Sequence, residues 1–139
     1  MFTTRVTQLF GIQHPIICGG MQWVSRAELV AAVANAGAIG FLTALTHDTP
    51  EALRDEIRKT RSLTDKPIGV NVTLLPTARP VPIDAFFDVA LGEGVDAIET
   101  SGRITEAQVA RIKQGKAKHV HKVARVRDAV TAQRMGVDA

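Results

Sequence analysis

Five times within 139 residues a short strand-like run, apolar in the first two, gives way to a helix. The runs are His14-Pro15-Ile16-Ile17-Cys18, Ile39 to Leu45, Ile68 to Leu75, Val95 to Thr100 and Lys118 to Val123. Parallel strands cannot be joined by hairpins and need a crossover, usually a helix. Near-continuous apolar runs suit strands covered on both faces. The alternation therefore predicts an α/β protein with a parallel sheet, and reads the first run as a short buried strand. In such proteins ligands gather at the carboxyl ends of the strands. The first run stops there at Gly19-Gly20, where no Cβ keeps the backbone from a close neighbour.

The helices carry start and stop signals. Ser25-Arg26-Ala27-Glu28 and Thr105-Glu106-Ala107-Gln108 read as capping boxes. Thr49-Pro50 offers a cap followed by proline at the first helical position. Gly37, Gly92 or Gly94, Gly115 and Gly136 close helices. Ile83 to Leu91 and Val126 to Met135 complete the set. Met1 to Gln13 reads as an irregular lead-in, and Pro76 to Pro82 as a proline-rich loop.

Composition narrows the function classes. Hydrophobic residues make up 45% and charged residues 22%, a globular balance. A formal net charge of +3 without a dense basic patch argues against nucleic acid. One cysteine, Cys18, allows no internal disulfide and fits a reducing compartment. No apolar run has the length of a membrane span, and the N-terminus lacks a signal-peptide plan. The expectation is a soluble cytoplasmic protein.

Gly136-Val137-Asp138-Ala139 repeats Gly94-Val95-Asp96-Ala97 letter for letter. The first copy opens a strand after a helix, so the second predicts the start of a sixth strand. The expectation is the N-terminal portion of a longer fold, with two sheet edges exposed to unwanted pairing. The alternative is a complete five-strand doubly wound module of flavodoxin type.

Two strands carry chemistry. On the third, Ile68, Val70, Val72 and Leu74 alternate with Gly69, Asn71 and Thr73. The second set is small and polar, and offers partners to a planar heterocycle or a phosphate. The plainer alternative is that Asn71 and Thr73 satisfy neighbouring strand ends. On the fifth, His119 and His121 share a face, and a metal pair lacks a third ligand of obvious spacing. Lys122 falls on the opposite face, where a cation can stabilise phosphate or a reduced heterocycle. Alternatively it is a snorkelling surface lysine. Glu99, Thr100 and Ser101 are candidates for the same mouth. Cys18 reads as core packing, and Trp23 as a lid or a plug.

Gly19 to Val24 (Gly-Gly-Met-Gln-Trp-Val), Gly69 to Thr77 and Val120-His121-Lys122 together resemble the nitronate monooxygenase family, formerly the 2-nitropropane dioxygenases. The likeness runs from about Phe10 to Ala139 and is strongest to the Gly-Gly-Met-Gln branch, which includes bacterial NADH:quinone reductases. It implies the N-terminal part of a (β/α)8 TIM barrel: about five βα units and the start of strand 6, residues 1–139 forming an incomplete FMN-binding domain. It implies FMN contacts at Gly20, Met21 and Gln22, at Thr73 with Asn71 close by, and at Lys122. The family's catalytic histidine belongs to a later Gly-His segment, beyond Ala139, which none of His14, His47, His119 or His121 matches. The phosphate-binding glycine loops follow strands seven and eight. Ala38 stands where the family usually has glycine, and Val123 where this branch often has cysteine. The implied activity is FMN-dependent oxidation of alkyl nitronates with O2. The alternatives are an FMN-dependent NADH:quinone oxidoreductase, or an inactive truncated fragment of either.

Overall fold

The computed structural model describes residues 3–76 and 80–139. Five parallel strands, β1 (Ile17–Cys18), β2 (Ile39–Thr43), β3 (Ile68–Leu74), β4 (Ala97–Gly102) and β5 (Lys118–Lys122), lie side by side in chain order. Helices α2 (Ala27–Asn35), α3 (Pro50–Leu63), α4 (Ile83–Gly92), α5 (Glu106–Lys113) and α6 (Val126–Met135) alternate with them, and α1 (Arg5–Phe10) precedes the sheet. Every crossover steps the same way, so the sheet curls into a half-barrel, as expected for the N-terminal part of a (β/α)8 barrel. The flavodoxin-type alternative is overturned, because a doubly wound sheet reverses its strand order and this one never does.

The sheet has two unlike faces. Leu42, Ile68, Val70, Val72 and Ile98 meet Val30, Leu53, Ile57, Phe86, Phe87 and Ile112 from the helices in the larger core. The inner face holds a smaller cluster of Ile39, Phe41 and Ala97, with Phe10 and Ile12 from α1 and the segment after it. Helix α1 thus closes the inner face where β2 and β4 begin. Here the structure corrects the irregular lead-in: Thr4 accepts from the Thr7 amide at 3.2 Å, and the Thr7 hydroxyl accepts from the Thr4 amide at 2.9 Å. A threonine at the third position replaces the usual Glu or Gln of a capping box. Met1 and Phe2 lie outside the described residues, as do residues 77–79 of the proline-rich loop and with them Thr77 of the family motif.

Two further expectations change. The first strand is not buried: Ile16 is 57% and Ile17 41% exposed, because β1 is a sheet edge paired only with β2 among the described residues. Cys18 is half-buried rather than core. Ser25 does not cap α2; its Oγ accepts from the Met21 amide at 2.9 Å. The α2 N-terminus is served instead by Glu56 of α3, whose Oε1 accepts from the Ala27 amide at 2.7 Å. The caps at Thr49 and Thr105 form as expected.

Residues 137–139 run beside β5. The Asp138 amide donates to the His119 carbonyl and the His121 amide to the Ala139 carbonyl. The two copies of the tetrapeptide make matching bonds. Asp96 Oδ2 accepts from the Ile68 amide at 2.9 Å, and Asp138 Oδ2 from the His119 amide at 2.8 Å. Gly94 and Gly136 both take positive φ, 67° and 87°. The repeat is one strand-entry device used twice, and it leaves β5 partly covered rather than bare.

Candidate functional site

Strand register builds the site in layers on the inner face. Phe41 pairs with Gly69, Thr43 with Asn71, Asn71 with Glu99, and Thr73 with Ser101, which in turn pairs with Lys122. The lowest layer is apolar. Gly69 is required there, since a Cβ would sit 2.3 Å from the buried Phe41 ring. The next layer, nearer the carboxyl ends, is polar and buried: Thr43, Asn71 and Glu99 are each less than 5% exposed. The rim holds Thr73, Ser101 and Lys122.

The polar groups are linked. The Ser101 hydroxyl donates to Thr73 Oγ1, and the Thr73 hydroxyl to Asn71 Oδ1, both at 3.3 Å. The Glu99 carboxylate takes the Gly20 amide at 3.0 Å and the Lys122 ammonium at 2.9 Å. Thr43 Oγ1 is buried without a hydrogen-bond partner. Few buried polar atoms in folded proteins are left so, and this one lies under the Gly20 turn, a Cβ at Gly20 falling 2.9 Å from it.

Of the residues expected from sequence, Gly20, Asn71, Thr73 and Lys122 come together. Gly20 is a glycine for a reason beyond ligand approach: a Cβ there would lie 2.4 Å from Asn71 Cβ and 2.9 Å from Thr43 Oγ1. Met21 and Gln22 stand apart on the turn after β1. Met21 is 43% exposed, and the Gln22 amide reaches only the Leu45 carbonyl, at a long 3.5 Å. Trp23 is 64% exposed with φ 68°, its amide held by Thr46 Oγ1 at 3.0 Å. Met21 and Trp23 leave the turn with an exposed apolar surface beside the site.

Thr100 leaves the mouth. It faces the helices, where its Oγ1 lies 2.8 Å from both His119 Nε2 and His121 Nδ1. One ring donates to the hydroxyl and the hydroxyl donates to the other ring. Burial, with His121 beside it, pushes His119 down to about 4; burial also lowers His121. Neither histidine shares the face of Lys122.

Sequence reasoning underweighted Glu99 and missed Thr43. The signal for Thr43 was available: it is two residues from Phe41 and so on the same face. The partners of Glu99 are 79 residues away and 23 residues away, beyond any local pattern.

The sequence model of the nitronate monooxygenase family matches residues 3–139. A carboxyl-CoA dehydrogenase of Rhodococcus jostii, (3aS,4S,5R,7aS)-5-hydroxy-7a-methyl-1-oxo-octahydro-1H-indene-4-carboxyl-CoA dehydrogenase, is 39% identical over 126 residues, 87% of this chain and 35% of that protein. Nitronate monooxygenase of Pseudomonas aeruginosa is 50% identical over 70 residues, 50% of this chain and 20% of that protein. The structure of FabK from Thermotoga maritima superposes with a TM-score of 0.89 at 33% identity, over 99% of this chain and 42% of that one. The chain thus spans about a third of the length of the curated relatives that it matches over 87% of its own length. Among the described residues no helix is long and apolar enough to cross a membrane. With a family match over nearly its whole length and the half-barrel that goes with it, this chain belongs to the nitronate monooxygenase family.

Proposed function

We propose that this chain supplies one side of an FMN pocket in an oxidoreductase that oxidises alkyl nitronates with O2. The observation that carries the reading is the polar layer at the carboxyl ends of β2 to β5, set above an apolar floor. Its groups fit a flavin. The Asn71 amide can bond a ring carbonyl or N–H from one side, and the unpartnered Thr43 hydroxyl behind Gly20 joins it when that turn shifts to admit the ring. Thr73 and Ser101 add hydroxyls at the rim. Lys122, 58% exposed at its side chain, brings a cation within reach of an anionic ring or a phosphate. When bound, FMN supplies the capacity to accept electrons from the substrate and pass them to O2.

The chain's own residues orient and exclude. The floor of Phe41, Ala97 and Gly69 keeps water from below, and α1 seals it. Asn71, fixed by Thr73, presents its amide in one orientation. Met21 and Trp23 form an apolar flank that a bound ring could cover. We infer no proton-transfer role for His119 or His121, which face the helices.

The test is a titration of the purified chain with FMN, followed by flavin absorbance and fluorescence. Saturable stoichiometric binding supports the pocket; no binding by a folded chain removes it. Activity is assayed on a flavin-loaded protein of the relatives' full length, with propionate 3-nitronate and with NADH plus a quinone. Turnover of the nitronate supports the first reading. Turnover of NADH and quinone alone moves the chain to the quinone reductase branch.

A second reading has its own support, since the relatives matched over 87% of this chain are carboxyl-CoA dehydrogenases. A cleft of about 760 Å³ opens beside Lys122, between the end of β4 and α6, with Arg103 and Arg125 on its walls. Arg103 is the cation there that suits the phosphates of a CoA thioester, Arg125 being paired with Asp128 on the same wall. Oxidation of a cyclic hydroxyacyl-CoA by the same preparation, without nitronate turnover, would favour it.

A further inference from the structure

We propose that Glu99 is a positioning residue of this pocket. Its buried carboxylate holds the Lys122 ammonium and the Gly20 amide together, so that a bound flavin meets an ion pair rather than a lone cation. The inference rests on the flavin reading and assigns a role to a residue which that reading leaves idle.

Glu99 is 4% exposed. A carboxylate so placed is costly unless it is paired and hydrogen-bonded. Both of its oxygens are engaged, Oε2 with the Gly20 amide at 3.0 Å and Oε1 with Lys122 Nζ at 2.9 Å. The turn is shaped for this contact: a Cβ at Gly19 would stand 3.3 Å from Oε2. The partners come from opposite sides of the sheet. Gly20 follows the edge strand β1, Glu99 lies on β4, and Lys122 ends β5. The carboxylate therefore ties the turn after the first strand across the inner face to the fourth, and fixes the head of a long lysine that would otherwise wander.

The pairing has an electrostatic consequence. A cation near the ring stabilises its reduced form and raises its reduction potential. An adjacent carboxylate offsets that effect. With Glu99 in place the rim is near neutral and the flavin is easier to reoxidise. Without it Lys122 acts as an uncompensated positive charge.

Two measurements test this. The first needs no flavin: acetylation of lysines in the folded chain with an N-hydroxysuccinimide ester, read by peptide mass spectrometry. In Glu99→Gln, Lys122 should label about three- to fivefold faster, the weight of one partly exposed ion pair. The exposed Lys116 and Lys118 should not change. Equal labelling of Lys122 in both proteins overturns the pair. The second is the reduction potential of FMN bound to the wild type, Glu99→Gln, Lys122→Met and the double variant. Glu99→Gln should lie highest and Lys122→Met lowest, with wild type and double variant close together between them. A merely structural role for Glu99 would change melting or affinity without producing that charge order, and overturns the proposal. If Glu99→Gln does not fold, the wild type alone decides: Lys122 labelling more slowly than the exposed Lys116 and Lys118, with the gap closing as salt is added, supports the pair, and labelling as fast as theirs at low salt overturns it. Faster labelling in a folded chain that binds no FMN overturns the flavin role and the pocket itself, and leaves the ion pair as a structural tie.

Discussion

The two faces of the curled sheet both bury polar side chains, but they treat them differently. Toward the helices, His119, Thr100 and His121 form a chain in which one hydroxyl serves two rings. Toward the inside, Thr43 is buried without a partner, and Asn71, Thr73 and Ser101 are linked by longer bonds of 3.3 Å that end at the rim. Buried polar groups are normally satisfied, and unsatisfied ones ask for an explanation. On the outer face the shared hydroxyl satisfies one nitrogen of each ring, and His119 Nδ1 stays buried without a partner. The inner layer is the one that faces the proposed flavin. Polarity in the core is thus a poor guide to function until its hydrogen bonds have been traced.

The comparison breaks most readily at the floor of the inner face, which must be as firmly packed as the helix layer if the polar layer above it is a built site. Phe41 is fully buried, with its ring over Gly69. Phe41→Ala should cost about 3–5 kcal/mol in urea denaturation, at unchanged denaturant slope. A loss under about 1 kcal/mol would mean a loose inner face that could collapse around any polar group.

The next effect is on the outer face and depends on pH. His119 is held down to about 4 from 6.5 by burial first and by His121 second, with Asp138 opposing and Lys113 reinforcing. Between those values the unfolded chain binds the proton and the folded one does not. The stabilisation is therefore complete above pH 6.5 and is lost as the pH falls toward 4. Over that window it amounts to about 3 kcal/mol. His47 and His121 are also lowered and act in the same direction. The difference between the stability curves of the wild type and His119→Gln isolates the His119 share. Parallel curves would mean that the outer chain is open to water.

How much of this was legible in the sequence follows from the range of each interaction. Strand and helix order, and the caps at Thr49 and Thr105, are written in spacings of a few residues, and they are where expected. Ser25 carries the letters of a capping box, yet the Met21 amide and Glu56 of α3 compete for the same roles, and tertiary contacts decide. Ile16 and Ile17 are as apolar as a core strand, but apolarity cannot say which strand lies at an edge. Fourth-strand limits moved from Val95–Thr100 to Ala97–Gly102, because Val95 and Asp96 serve the turn and the strand entry. At the site, Asn71, Thr73 and Lys122 were visible as a face pattern. The Glu99 tie was not, since it joins residues from three strands.

Thr100→Val tests the outer chain directly. The substitution keeps shape and removes the hydroxyl, so two ring nitrogens lose their shared partner, one on the buried His119 and one on the half-buried His121. It should cost about 2 kcal/mol. Adding His121→Leu to Thr100→Val should recover part of that loss, because one orphaned nitrogen is then gone. A Thr100→Val protein as stable as the wild type would mean that the two rings find other partners, and the two faces would no longer differ in kind.

Thr43→Val is the same chemical change on the inner face, and there the expectation reverses. The Thr43 hydroxyl is buried and makes no hydrogen bond, so its desolvation is uncompensated in the chain alone. Replacing it with a methyl group should leave stability within about 1 kcal/mol of the wild type, on the stabilising side. The cost should surface only when FMN is added, as affinity weaker by about fivefold, the share of one neutral hydrogen bond. Equal substitutions on two faces of one sheet would then have opposite signatures: stability lost with no ligand on the outer face, binding lost with no stability on the inner. If Thr43→Val instead destabilises by as much as Thr100→Val and leaves FMN affinity untouched, the hydroxyl is serving the fold, and Asn71 and Lys122 would have to hold the ring without it.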